Sequence, residues 1–360
     1  MPRITHRAVT DYLHRIYGKP VRILSLTREG AQEAGDDLKG FGYGSPLFLE
    51  YDVAGDRKKA VLETMAPSSF GHDHFADRAQ AILWEHSAFN ALPRHVRSLD
   101  CGAILDDGTL LSTGHAEEFF SLTEFVQGDG YFKDLERIRD RGVLEEPDAQ
   151  RAVALADYLV EIHGSKGSPP QLYTRRIRDL IGHGECIMGL IDNYPERFEF
   201  IDAGLLKKIE FACVEWRWKI KDRSHRLSQV HGDFHPWNIL FRGGTDFTVL
   251  DRSRGEWGEP ADDVATMTLN YLFFGLQHGS LDGPFATLFS RFWETYLTRT
   301  GDREMLEVIA PFYAWRGLVV ASPVWYPHLP ASVRKRIFDF IINVLASGRF
   351  EPPSVQEYFR

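Results

Sequence analysis

The stretch VHGDFHPWNILFRGGTDFTVLD, residues 230–251, decides how the rest of the chain is read. It opens with His-x-Asp-x-x-x-x-Asn, supplied by His231, Asp233 and Asn238. A short apolar run at 239–241 follows, then a Gly243-Gly244 turn, a second run at 247–250, and an acid, Asp251. Two such runs around a Gly-Gly turn predict a β-hairpin. A hairpin returns to the end it started from. Asn238 and Asp251 are therefore expected as neighbours, with Asp233 on a loop facing them. Oxygen donors so arranged suit Mg2+.

The motif and its distance to the hairpin and terminal acid resemble the catalytic core of the protein-kinase-like phosphotransferases. Gly232 after the His, and Phe234-His235-Pro236 after the Asp, make it similar to the aminoglycoside phosphotransferase and choline kinase branch. That resemblance implies a two-lobed α+β fold. A small antiparallel-sheet lobe, residues 1–128, would bind the nucleotide; a larger, mainly helical lobe, residues 129–360, would carry the catalytic loop and the acceptor-binding helices. It further implies that Asp233 is the base that orients the acceptor hydroxyl, that Asn238 and Asp251 hold the metal, and that His231 braces the loop. Downstream, Gly258-x-Pro260-x-x-Asp263-x-Ala265 matches a family segment whose Asp, here Asp263, buttresses that loop. The aromatic usual after the metal-binding acid is replaced by Arg252.

Composition narrows the field. The chain has 360 residues with 43% hydrophobic and 13% aromatic side chains, ample for packed cores. The formal net charge is −9 and no long Lys/Arg run occurs, which argues against a nucleic-acid partner. An acidic protein leaves cationic small molecules open. Cys101, Cys186 and Cys213 fit no paired spacing and read as reduced, buried thiols of a cytoplasmic protein. The first residues are charged throughout, so no signal peptide is expected, and no apolar run reaches membrane-spanning length.

Before the hairpin, residues 5–17 predict a short helix and 21–26 a strand. A Gly-rich segment, 39–45, then offers Gly42, Gly44 and Ser45 to nucleotide phosphates, because glycine lets backbone N–H groups approach closely. Strands are expected over 47–53 and 59–65. The second is where the family carries a Lys or Arg toward the phosphates, and this chain has Glu63; either Lys59, on the same strand face, substitutes, or the register differs, or nucleotide binding is weakened. A helix over 76–92 puts Glu85 where the family's ion-pair acid lies. Strands over 96–105 and 118–126 are expected to complete the small sheet, with backbone groups of Glu124 and Val126 holding the base. Helices over 148–163, 173–193 and 203–220 precede the catalytic loop, and aromatic-rich helices follow it. His163 reads as core or cap. Trp216, Trp218, Trp315, Trp325 and Tyr326 read as packing or as walls of an acceptor pocket, and Glu256, Glu259 and Asp262 are compatible with a cationic acceptor.

The expected function is transfer of the γ-phosphoryl group of ATP or GTP to a small-molecule hydroxyl with Mg2+. Glu63 motivates one alternative, a kinase-like binding protein without catalysis. The His231-x-Asp233-x-His235 spacing motivates another, a metal-dependent hydrolase.

Overall fold

A computed structural model describes residues 4–28 and 46–360. The chain forms two compact units, Met1–Thr123 and Glu124–Arg360.

In the first unit, helix α1 (His6–Tyr17) is capped by Thr5, whose side chain accepts from Ala8 N, and ends at Gly18 in the left-handed region. Its apolar face, Val9 and Leu13, is buried against a three-stranded antiparallel sheet of β1 (Val21–Thr27), β2 (Leu47–Val53) and β3 (Asp56–Leu62). Alternation decides which side of β2 faces inward: Leu47, Leu49, Tyr51 and Val53 are buried. The β2–β3 turn has positive φ at Ala54 and Gly55, the twist a two-residue hairpin needs. Helix α2 (Phe75–Ala91) follows, and its apolar residues are no more than half-buried.

Three expectations fail here. The strand placed over 59–65 starts earlier and stops at Leu62, leaving Glu63 beyond its end. Residues 96–105 and 118–126 do not complete the sheet. The first region contributes only β4 (Gly102–Ile104), paired with β5 (Leu110–Ser112) in a ladder of its own. The second is irregular, and Phe120, Leu122 and Phe125 are over 90% exposed. A strand needs a partner for its N–H and C=O groups, and none pairs with this run among the described residues.

The second unit begins with β6 (Asp129–Gly130), which pairs with the hairpin strand at Leu240 and Phe241. That pairing explains why the break in contacts falls before Glu124 and not at the glycines 128–130. Helices α3 (Tyr131–Arg141), α4 (Glu146–Gly164) and α5 (Gln171–Gly182) follow, then α6 (Ile187–Asp192). The single helix expected over 173–193 is thus two, interrupted at the Gly-containing run 183–186. A small ladder of β7 (Arg197–Phe198) and β8 (Ile201–Asp202) leads into α7 (Ala203–Ile220), as expected. Next come β9 (Ser228–Gln229), β10 (Ile239–Gly243), β11 (Asp246–Val249) and β12 (Trp257–Gly258).

Helix α8 (Ala261–His278) is buried on every side along most of its length. Beyond the acids of its first turn its buried side chains are mostly apolar, and Thr266, Thr268 and Asn270 bond to the preceding turn's carbonyls, as a central helix requires. Around it pack α3, α9 (Pro284–Thr300) and α11 (Ala310–Ala321); α10 (Met305–Val308) precedes α11, and α12 (Ala331–Ala346) closes the bundle. Cys101, Cys186 and Cys213 are buried and form no disulfide. Among the described residues no helix is long and apolar enough to cross a membrane.

Candidate active site

The hairpin forms as its sequence predicts, with Ile239 opposite Val249 and Phe241 opposite Phe247. Beyond the last pair, Leu250 N donates to Asn238 O at 2.8 Å, so Asn238 and the residue preceding Asp251 sit side by side. Asn238 lies in a 3-10 turn, and its Nδ2 donates to Asp233 O at 3.1 Å. That bond fixes which end of the amide is the donor; the oxygen, a suitable magnesium ligand, is at the other end. Asp251 adopts φ 55, a region unfavourable for a residue with a Cβ, and its Oδ1 accepts from Ser253 N at 3.2 Å. Arg252, in the place of the usual aromatic, donates to Val230 O (2.9 Å) and Glu256 O (3.1 Å), tying together the segments before and after the loop.

Asp263 anchors the loop itself. From the first turn of α8 its two oxygens accept His231 N and Gly232 N, each at 2.7 Å. His163 of α4 reaches Asp263 Oδ2 at 3.1 Å with Nε2, and its Nδ1 meets Tyr296 Oη at 2.8 Å. Burial alone would raise the Asp263 carboxyl; the hydrogen bond from His163, with His231 and its N–H, holds it below the usual range. Gly232 has φ 86, and a Cβ there would stand 3.3 Å from Arg176 Nη2 and 3.4 Å from Arg254 Cβ. Burial pushes the His231 imidazole down, so the ring is neutral, and its Nδ1 accepts from Asp233 N at 3.2 Å.

Asp233 is buried, and its Oδ1 receives two guanidinium groups at 2.7 Å each, Arg316 Nη1 from α11 and Arg254 Nη1 from the loop after Asp251. Its Oδ2 lies 3.6 Å from His235 Nε2. Burial opposes ionisation, but His235, Arg316 and Arg254 together hold the Asp233 carboxyl far below the ordinary carboxylate range. Behind it, Asp262 accepts Arg316 Nη2 at 2.7 Å and Arg176 Nη2 at 3.0 Å. Glu259 is likewise buried and takes a bidentate bond from Arg226 and another from Tyr173 Oη. Two of the three acids offered for a cationic acceptor are therefore already engaged inside the protein.

The remaining sites are less concentrated. Gly42, Gly44 and Ser45 lie outside the described residues. Within the first unit, Lys59 is exposed and its Nζ lies 3.8 Å from Glu50. Glu63 and Glu85 are close enough to repel: burial first, and then Glu63, raise the Glu85 carboxyl. Glu124 is exposed and Val126 half-buried on irregular backbone. Trp216 and Trp315 are core residues, bonded through Nε1 to Leu345 O (2.8 Å) and Glu185 O (3.0 Å), whereas Trp218 and Trp325 are exposed. Among the described residues no three His, Cys, Asp or Glu side chains converge as a metal cage. This leaves the hydrolase reading without a site. It does not bear on Asn238 and Asp251, since Mg2+ commonly takes one or two protein oxygens and completes its shell with phosphates and water.

Sequence reasoning missed Arg254 and Arg316. Both left a signal: Arg254 falls three residues past the hairpin acid, and Arg316 interrupts an otherwise apolar helical run.

An acid on a braced loop, followed by a hairpin that returns an amide and a second acid, in a sheet-bearing plus helical chain, defines a kinase-like α+β protein. The model of the phosphotransferase enzyme family matches residues 50–305, and the chain belongs to that family. Arg254 lies inside the matched span and Arg316 beyond it. Among solved structures, a glucosamine kinase in complex with glucosamine, ADP and inorganic phosphate is 18% identical over 64% of this chain, with TM-score 0.39; the match spans 63% of that protein's length. A Plasmodium vivax ethanolamine kinase is 15% identical over 91% of this chain and 82% of its own, with TM-score 0.36. The choline kinase LicA from Streptococcus pneumoniae is 12% identical over 94% and 98%, with TM-score 0.34. No curated protein sequence matches the chain.

Proposed function

We propose that this protein transfers the γ-phosphoryl group of ATP or GTP to a hydroxyl of a small-molecule acceptor, with Mg2+, in the cytoplasm. The observation that carries the reading is the state of Asp233: an ionised carboxylate on a loop pinned by Asp263, with Oδ1 committed to two arginines and Oδ2 facing only His235 among the described residues, at 3.6 Å.

Phosphoryl transfer through a loose transition state asks little of a base and much of positioning. A carboxylate held so far below its usual range is a weak base but a permanent acceptor. It fits the task of holding an acceptor O–H in line. The acceptor oxygen forms the new P–O bond as the bond to the β-phosphate oxygen breaks, and the hydroxyl proton passes late to Oδ2 and on to solvent. Asn238 Oδ1 and Asp251 would hold Mg2+, which when bound neutralises charge on the phosphate oxygens. His231, Asp263 and Gly232 keep the loop in place. Lys59, Gly42, Gly44, Ser45 and the backbone at Glu124 and Val126 are the proposed nucleotide contacts, with Glu85 in a supporting place.

A second reading, a kinase-like binding protein without catalysis, is favoured by one observation: Glu63 stands near Glu85 where a cation is expected, and Lys59 faces Glu50. Calorimetric titration of Mg·ATP and Mg·GTP into the folded protein separates the two. Saturable binding of either supports the transferase; no heat from either favours the second reading.

A further inference from the structure

We infer that the acceptor is an anion, and that Arg254 grips its carboxylate or phosphate while its hydroxyl meets Asp233 Oδ2. This rests on the phosphotransfer reading above and names the acceptor class for that same site.

The argument is one of charge matching. Three guanidinium groups, Arg176, Arg254 and Arg316, converge behind and beside Asp233, and two buried carboxylates, Asp233 and Asp262, face them. Asp262 is shared by Arg176 and Arg316. Asp233 Oδ1 is shared by Arg316 and Arg254. The third acid in reach is Glu185, which touches Arg254 Nε at 3.3 Å, but its side chain is 62% exposed and so is well solvated. A surplus of positive charge is left, and it falls on Arg254.

Arg254 is also the member of the set built to take a ligand. Its side chain is 20% exposed, against 7% for Arg316. Arg316 is committed on both arms, to Asp233 and to Gly232 O and Asp262, and its guanidinium stacks 3.7 Å from the Trp315 ring centre. Arg254 lies 5.3 Å from the same ring and shares its Nη1 between Asp233 Oδ1 and the more distant Gly232 O. Its Nη1 is taken by Asp233 and its Nε is held at 3.3 Å by Glu185, a solvated side chain that an incoming carboxylate or phosphate would displace to pair with Nε and Nη2. An ammonium placed there would face Arg254 and Arg316 with Glu259 and Asp262 already spent on buried arginines. In a site of reduced dielectric that encounter is repulsive.

The test uses two matched sets of hydroxyl compounds: glycerate, glycerol 3-phosphate, glycerol and serinol; and gluconate, glucose 6-phosphate, glucose and glucosamine. Each is titrated calorimetrically into the wild-type chain, Arg254→Gln and Arg254→Lys, all shown by circular dichroism to be folded. An anionic member is expected to bind at least about tenfold tighter than its neutral and ammonium counterparts. Arg254→Gln should erase that preference and Arg254→Lys restore part of it. The comparison of glycerate with glycerol 3-phosphate, and of gluconate with glucose 6-phosphate, separates carboxylate from phosphate. Preference for serinol or glucosamine, anion preference surviving Arg254→Gln, or no anion binding up to ~10 mM would overturn the inference. Phosphorylation of glucosamine or serinol alongside weak anion binding would overturn it while leaving phosphotransfer intact. Failure of both nucleotides to bind strikes the phosphotransfer reading instead; anion binding lost in Arg254→Gln would still support the oxyanion site.

Discussion

Arg316 and Asp233 form a buried ion pair, Nη1 to Oδ1 at 2.7 Å, and the same guanidinium bonds Asp262 at 2.7 Å. One cation on α11 thereby bridges two carboxylates from different segments of the chain, each of which also meets a second arginine. Arg316→Met leaves both acids buried without it, and breaking a pair of this kind costs about 3–5 kcal/mol. The expected result is a lower urea midpoint with an unchanged slope. A loss below ~1 kcal/mol would mean that solvent already reaches the pair.

Asp263 accepts two backbone N–H groups and is linked to His163. Asp263→Ala strands those donors, at about 1–3 kcal/mol for each group left unsatisfied. Asp263→Asn keeps an acceptor and is expected to cost less. The pH sign follows from the lowered folded-state value. The carboxylate's contribution is complete above its ordinary 3.8 and is lost as pH falls through the lower folded value. The stability gap between wild type and Asp263→Asn should therefore stay level at neutral pH and narrow only below about pH 4. A gap that narrows on the alkaline side would contradict this.

Gly232 holds φ 86 between the arginines. Gly232→Ala imposes a left-handed conformation worth about 1–2 kcal/mol and crowds Arg176 and Arg254. Because the residue precedes Asp233, turnover is expected to fall further than stability. Thermal unfolding and initial rates on the same preparation compare the two.

Lys59 and Glu50 form an exposed contact, so Lys59→Ala should change stability by no more than about 0.5 kcal/mol. Glu63→Lys is a sharper probe. It replaces repulsion with attraction at Glu85, lowering the Glu85 carboxyl, and is expected to tighten Mg·ATP binding several-fold by calorimetry. Unchanged affinity would remove Glu63 from the nucleotide site.

Local pattern made the hairpin and its flanking loop legible, because β10 and β11 pair through residues adjacent in sequence and the turn chemistry sets their register. The helices α4 and α7 were legible for the same reason. The start of α8 was legible only through Asp263, by resemblance; Asp262 beside it looks like a solvated acid until Arg176 and Arg316 arrive from other helices. The failures in the first unit have a related cause: residues 118–126 carry strand-like composition, but composition cannot supply the neighbouring strand. Arg254 and Arg316 escaped notice because their meaning is a distance to Asp233, set by where α11 docks.

The most direct test of phosphotransfer is 31P NMR of the products. Wild-type protein with Mg2+, ATP or GTP, and the hydroxyl compounds above should yield a new phosphate ester, and Asp233→Asn, folded by circular dichroism, should yield it about 10²–10⁴-fold more slowly. No ester from any acceptor with either nucleotide, or equal turnover by Asp233→Asn, would contradict the role given to Asp233.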